Sequence, residues 1–374
     1  MPFRIPSSRV NWTNSSFLIG TAAATLTVVP WYLWRYGADA FQIGMFLFFF
    51  IATGLSITLG YHRLYAHKAF EARWPVRLLT LIFGAAAFEN EALNWVSDHR
   101  RHHKNVDSDD DPYDISKGFW HAHIGWILFK LEPEPPLDNV ADLRKDPLVR
   151  FQSRFYVTIA VVIGFVVPAV LGGLHAGWIG ALGGLLLAGV ARVTAVQHMT
   201  FFINSLCHTI GGQPYSDRCS ARDSWLMAIF TFGEGYHNYH HEFQHDYRNG
   251  VKWWQWDPTK WSIWTLQQLG LTSGLRRVSE EKVLLQQLEE ARRRLEARLA
   301  CRVTPLQGRM RLLLQNSGEK LHELGERWEA VKAEYAEKTD VKIDHARAAL
   351  AEIRREVRHA FDLLELAGAP AAVA

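Results

Sequence analysis

Three short stretches of this chain concentrate nitrogen ligands. The stretch 98–104 reads DHRRHHK and supplies His99, His102 and His103; 62–67 reads HRLYAH, with His62 and His67; 237–241 reads HNYHH, with His237, His240 and His241. In the second and third of these boxes along the chain, the i, i+3, i+4 spacing puts the rings on one face of a helix, so their nitrogens converge on one point or two. A single histidine reads as an ordinary hydrogen-bonded residue. Eight in three boxes, each at the end of an apolar segment, read as metal ligands. Imidazole suits zinc, copper, iron and nickel, and the boxes contain no thiolate or carboxylate partner set. A zinc hydrolase needs only about three ligands and an H-E-x-x-H-type base, which is missing here. So many histidines imply two metals. Arg63, Arg100, Arg101 and Lys104 cannot ligate, and they are expected to receive an anionic headgroup or the phosphates of a large carrier.

The elements that must position these boxes are apolar helices. The 374 residues are 48% hydrophobic and 13% aromatic, and the apolar blocks fill the first two thirds. The spans 17–33, 41–60, 155–174 and 178–202 each approach the roughly 20 residues that cross a hydrocarbon core of about 30 Å. The shorter blocks 78–88 and 225–232 read as buried or interfacial helices. The segment 171–177, LGGLHAG, reads as the turn between the last two spans and carries no Lys or Arg, whereas 61–154 is rich in both, which predicts cytoplasmic termini and a cytoplasmic histidine cap. The N-terminus lacks the pattern of a cleaved secretory signal, so the first apolar block is expected to stay as an anchor. Trp253, Trp254, Trp256, Trp261 and Trp264 alternate with polar residues, as in a packed aromatic segment or an interfacial helix.

From about residue 278 the chain becomes charged. Leu284, Leu288, Ala291, Leu295 and Leu299, then Leu321, Leu324, Trp328, Val331 and Tyr335, recur in steps of three and four, the pattern of a helical hairpin or coiled coil broken near Pro305 and Gly308. The expected fold is an all-α membrane protein: four transmembrane helices with a cytoplasmic helical cap holding the metal site over 1–275, and a coiled-coil-like helical extension over 276–374. A net charge of +3 with no nucleic-acid motif excludes nucleic acid as a partner. Three scattered cysteines (Cys207, Cys219, Cys301) exclude a disulfide framework and fit a reducing compartment.

HRLYAH, DHRRHH and HNYHH resemble the three histidine boxes of the membrane di-iron fatty acyl desaturases, in particular the stearoyl-CoA desaturase branch with its bacterial relatives. The resemblance covers about 54–269. The family's N-x-x-x-H element is matched by NSLCH, with Asn204 and His208. It implies an O2-dependent enzyme that introduces a cis double bond, at the Δ9 position, into a saturated acyl chain, using two iron ions in a multi-pass protein of the bacterial inner membrane. It also implies a ligand partition: His62, His67, His99, His103 and His240 on one iron, His102, His208, His237 and His241 on the other, with a water held by Asn204. Trp95 and Thr200 would shape the bend of an acyl tunnel, Phe50 and Gly54 would lie near its methyl end, and Asn90 and Asp98 would contact the substrate. His121 and His123 are expected in a supporting or interfacial role.

Two departures bear on the acyl carrier. Ser97 stands where the acyl-CoA enzymes have Arg, and Lys130 is followed by Leu131 where they have a basic pair. A phospholipid-linked or carrier-protein-linked acyl chain therefore stands beside acyl-CoA as a substrate, with acyl-CoA or acyl-lipid expected. No haem-binding domain, flavin loop or Cys₄ iron–sulfur spacing is present, so electrons are expected from a separate ferredoxin-like, cytochrome or flavin-reductase partner. The alternatives are a membrane di-iron hydroxylase of alkanes or lipids, which would add one oxygen, and a non-catalytic haem- or metal-binding receptor.

Overall fold

The computed structural model describes residues 7–131 and 135–300, with a few isolated positions between 319 and 355. Helix α1 (Trp12–Tyr36) starts at Asn11, whose side chain accepts from the Asn14 amide. Helix α2 (Ala40–Leu55) starts with a reciprocal capping box between Asp39 and Gln42, which satisfies two amides that a helix start would otherwise strand. It runs without interruption into a π-helical stretch, Ser56–Ala66, whose every residue is buried. Helices α3 (Trp74–Ala85) and α4 (Ala92–Asn105) follow, joined by the connection 86–91.

The third apolar run, Tyr156–His208, contains α5 (Val167–Gly183), a π-helical stretch Gly184–Ala191, and α6 (Arg192–Ser205). Its 53 residues would measure about 80 Å as one straight helix. Instead it breaks at Ala176 and Gly177, where φ is −141° and +62°. The sequence placed a turn over 171–177. The chain in fact stays helical through His175 and reverses within two residues. Glycine makes this possible: a Cβ on Gly172 would overlap the Gly180 carbonyl, and one on Gly184 would overlap that of Pro168, so the two halves approach backbone to backbone.

Among the described residues, three runs are long and apolar enough to cross a membrane: Trp12–Tyr36, Ala40–Ala66 and Tyr156–His208. They turn large apolar side chains outward, among them Leu26, Trp34, Val157 and Leu174, each more than two thirds exposed. Helix α7 (His237–Glu242) carries the third histidine box, and α8 (Pro258–Gln268) buries Ile263 while exposing Trp261 and Trp264. The block at 225–232 forms the short helix Trp225–Phe230, with Trp225 exposed.

The chain divides into two compact units, residues 1–212 with 219–277, and 213–218 with 278–374. The first has a core that includes Ile57, Leu64, Val96, Val149 and Ile263, formed where the end of α2, α4 and α8 meet. In the second, α9 (Glu280–Ala300) buries Leu288, and Glu290 pairs with Arg293 and Arg294. The residues of the second half of the expected coiled-coil pattern, Leu321, Leu324, Trp328, Val331 and Tyr335, lie outside the described residues.

Candidate metal centre

The wide turns of Ser56–Ala66 bring His62 to the inner end of the second apolar run, and His67 follows at its cap, donating its amide to the His62 carbonyl at 3.0 Å. Helix α4 supplies three rings. His99 and His103 are one turn apart and point to one place; His102, offset on the helix, points to another. Helix α7 divides likewise, with His240 directed to the first place and His237 and His241, one turn apart, to the second. His208 ends the short 3₁₀ turn after α6.

The result is two groups, His62, His67, His99, His103 and His240, and His102, His208, His237 and His241, in each of which one nitrogen per ring lies within 4.8 Å of the others. In the first, His62 Nε2 is 3.0 Å from His240 Nε2, His103 Nε2 is 3.0 Å from the same atom, and His67 Nε2 is 2.8 Å from His99 Nε2. In the second, Nε2 of His237 is 3.1 Å from Nε2 of both His208 and His241, and His102 Nε2 is 3.3 Å from that of His241. The groups adjoin: the His103 and His241 rings stack with centroids 4.3 Å apart.

The far side of several rings fixes which nitrogen carries the proton. His102 Nδ1 is 2.9 Å from both oxygens of Asp111, whereas His62 Nδ1 lies 2.9 Å from Glu234 Oε2 without hydrogen-bond alignment. Ser220 Oγ donates to Asp107 Oδ1 at 2.6 Å and therefore accepts from His208 Nδ1, 2.7 Å away. With the proton on Nδ1, His102 and His208 present bare Nε2 lone pairs to the centre. Burial, reinforced by the neighbouring rings, lowers the pKa of His67, His99, His103, His237, His240 and His241, which keeps them neutral and able to ligate. Facing lone pairs in a buried space repel unless a cation lies between them, so the donor set fits a metal in each group.

The carboxylates behind the rings were not singled out in the sequence. Burial pushes the Asp111 carboxyl up, but hydrogen bonds from His102 and the Tyr113 and Asp107 amides more than offset this and hold it low. Burial likewise opposes ionisation of Glu234, and the Arg63 guanidinium outweighs it. Arg63 is 1% exposed and bonds Glu234 at 2.8 Å and Asp257 at 3.1 Å. Arg100 is engaged by Asp142 and by the Tyr65, Ala66 and Asn139 carbonyls, and Arg101 by Asp138 and the Pro136 carbonyl. The expectation that Arg63, Arg100 and Arg101 await a headgroup or carrier phosphate is therefore corrected: internal acceptors use them. Lys104 alone of that set is exposed.

A cavity of about 260 Å³ opens onto the first group, lined by His67, His103, Lys68, Arg100, His245 and Arg276 among others. A second, far smaller at about 10 Å³, is lined by Gly54, Thr58, Val196, Thr200, Ile203 and Phe232 among others. The structure thus brings Gly54 and Thr200 to one place, and Phe50 adjoins through its contact with Phe232, ring centroids 5.6 Å apart. Trp95 stacks on His99 at 5.0 Å and donates to Glu89 Oε2 at 3.4 Å; Thr200 donates to Glu89 Oε1 at 2.8 Å. Glu89, overlooked in the sequence, so ties together the two residues expected to shape the bend. Enclosure of its carboxyl raises the pKa to about 8. Asn90 and Asp98 line neither cavity; Asn90 accepts from the Glu91 amide at 2.9 Å, and burial raises the Asp98 pKa to about 7. Asn204 lies on α6 one turn before His208. Ser97 is buried and donates to Asn139 at 2.7 Å. His123 stands outside both groups, bonded to Ser205 and His198 at 3.0 Å each, and His121 is likewise in neither group.

Residues 40–268 match the family described as fatty acid desaturase. Acyl-CoA desaturase 1 of Saccharomyces cerevisiae is 41% identical over 74% of this chain and 54% of its own length. The sn-1 stearoyl-lipid 9-desaturase of Anabaena variabilis is 32% identical over 72% of this chain and 94% of its own, and the stearoyl-CoA desaturase of Homo sapiens is 32% identical over 75% and 78%. The chain spans about half the length of the two yeast relatives that it matches.

Proposed function

Because the chain belongs to the fatty acid desaturase family, we propose that it is an O2-dependent fatty acyl desaturase that introduces a cis double bond, at the Δ9 position, into a saturated acyl chain carried as acyl-CoA or acyl-lipid. The observation that carries this is the convergence of nine imidazoles into two adjoining groups, with the Nδ1 atoms of His102 and His208 bonded outward to Asp111 and Ser220. His62, His67, His99, His103 and His240 would hold one iron, and His102, His208, His237 and His241 the other, with a water at Asn204. Two irons would supply the dioxygen chemistry that removes hydrogen from an unactivated methylene pair, which no side-chain acid or base can do.

The chain's own residues orient and exclude. Asp111 and Ser220 hold the tautomers of His102 and His208. Trp95, stacked on His99, and Thr200, tied to it through Glu89, would form the bend against which the acyl chain lies. Phe232 and Phe50 close the space beside Gly54 and keep water from the far end. Exposed Arg276 on the rim of the cavity above His67 and His103, together with exposed Lys104, suits the acidic face of a separate electron-carrying protein. The break at Ala176–Gly177 supports four membrane crossings, with the histidine groups and both termini on the cytoplasmic side of the bacterial inner membrane. Supplying the purified protein with a saturated acyl substrate, reductant and O2 tests the proposal. It predicts a product lighter by two hydrogens; a product heavier by one oxygen would make the enzyme a hydroxylase.

A further inference from the structure

The connection 86–91 holds two bulky or polar residues in the left-handed region, Phe88 at φ 59° and Asn90 at φ 86°. Such a backbone persists where its surroundings over-determine it. The surroundings here are largely one helix. Gln197 Nε2 donates to the Phe88 carbonyl at 2.9 Å, and Thr200 to the Glu89 side chain at 2.8 Å. Arg192 Nη1 donates to the Ala86 carbonyl at 2.5 Å. Arg192 is fully buried, and its other donors meet the Gly164 carbonyl and the Ala188 carbonyl, each at 3.0 Å. Among the described residues no carboxylate pairs with it. Gly164 and Ala188 both lie in π-helical stretches, whose irregular turns leave carbonyls for a side chain to take. A guanidinium inside an apolar bundle with only carbonyls and the Phe49 ring, 6.0 Å away, beside it is costly, which argues for a task beyond packing.

The order of the contacts suggests that task. Residues 192, 197 and 200 of α6 meet residues 86, 88 and 89 of the connection in the same sequence. Beyond them, Asn204 and His208 continue the same side of the chain in steps of four, reaching the second histidine group. At its other end the connection leads into α4, which carries Trp95 and three of the nine histidines. Helix α6 therefore holds the connection at one height, and the 3₁₀ turn that follows it presents His208 to the metal centre.

We infer that Arg192 and Gln197 are positioning residues that set where along the acyl chain the double bond forms, by pinning the 86–91 connection at one height along α6. This rests on the desaturase reading above. A slip of one residue along a helix moves the connection about 1.5 Å, comparable with the spacing of neighbouring methylene carbons, so a small loss of register changes which carbons face the metals. Neither residue needs to touch substrate.

The test is to express the full chain in a host that makes no unsaturated fatty acids, and to map double-bond positions by mass spectrometry alongside iron per chain. Gln197→Met keeps length and removes the donor. Its predicted product shows a second bond position raised about tenfold over its wild-type share, the upper effect of losing one such hydrogen bond, with iron unchanged. Arg192→Lys keeps the charge with a less extended donor set and should shift position in the same direction. A Gln197→Met enzyme that makes less product at an unchanged position, with a wild type that desaturates, overturns the positioning role and leaves the desaturase reading standing. A wild type that makes no double bond overturns both.

Discussion

Replacing Asp111 with Asn should weaken metal binding at the second histidine group while sparing the first. The carboxylate receives four contacts: His102 Nδ1 at 2.9 Å to each oxygen, the Tyr113 amide at 2.9 Å and the Asp107 amide at 3.1 Å. An amide has one oxygen, so whichever way Asn turns, its NH2 faces a backbone N–H and strands one buried donor, at about 1–3 kcal/mol. His102 also loses an ionised acceptor, and changes of this kind behind a metal ligand weaken metal binding by roughly 10- to 100-fold, or about 1.4–2.7 kcal/mol. The assay is iron titration of the purified protein against a competing chelator. The account predicts two irons per chain in the wild type, and one tightly and one weakly held iron in Asp111→Asn. Two irons of unchanged affinity, with only thermal stability reduced, would refute the role assigned to Asp111.

Ser220→Ala removes the acceptor of His208 Nδ1 and should weaken the same site by a smaller factor, read in the same titration. At Gly54 an added Cβ would run into the Phe232 ring, so Gly54→Leu should cost about 1–3 kcal/mol of packing and move substrate preference toward shorter acyl chains, as a competition between chain lengths would report. Glu89 keeps its proton in the fold up to about pH 8 but loses it near 4.3 when unfolded. Its contribution is present below about pH 4 and falls as pH rises to 8, by at most about 1.4 kcal/mol per pH unit. Glu89→Gln should therefore gain thermal stability relative to wild type on going from pH 5 to pH 8, and a constant difference would contradict the neutral carboxyl. A chain ending after Arg277 retains all nine histidines and should still bind metal.

Much of the centre is written in local spacing. His99, His102 and His103, or His237, His240 and His241, need only helical geometry to lie on one side of a short helix, and apolar runs announce the helices that hold them. What spacing leaves open is how one box divides: an offset of a single residue sends His102 and His103 to different groups, and only the packing of α4 against α7 decides which. The resemblance of the boxes, rather than their periodicity, supplied that division beforehand. Arg63 and Arg100 misled for a related reason. A basic residue beside a ligand looks like a receptor for an anion until Glu234, Asp257 and Asp142, all remote in sequence, are found against it. Glycine reads as a break, so the sequence suggests a turn over all of 171–177, whereas Gly172 and Gly180 serve the close approach of two helices and Gly177 serves the reversal.

The central claim, that two histidine groups hold two irons which desaturate an acyl chain, is tested most directly by one preparation analysed twice. Iron is counted per chain, and the same protein is then given a saturated acyl-CoA, reductant and O2 while its product is weighed by mass spectrometry. The account predicts two irons and a product lighter by two hydrogens, both lost together in His102→Ala or His241→Ala. A single zinc, or full activity in His102→Ala, would contradict it.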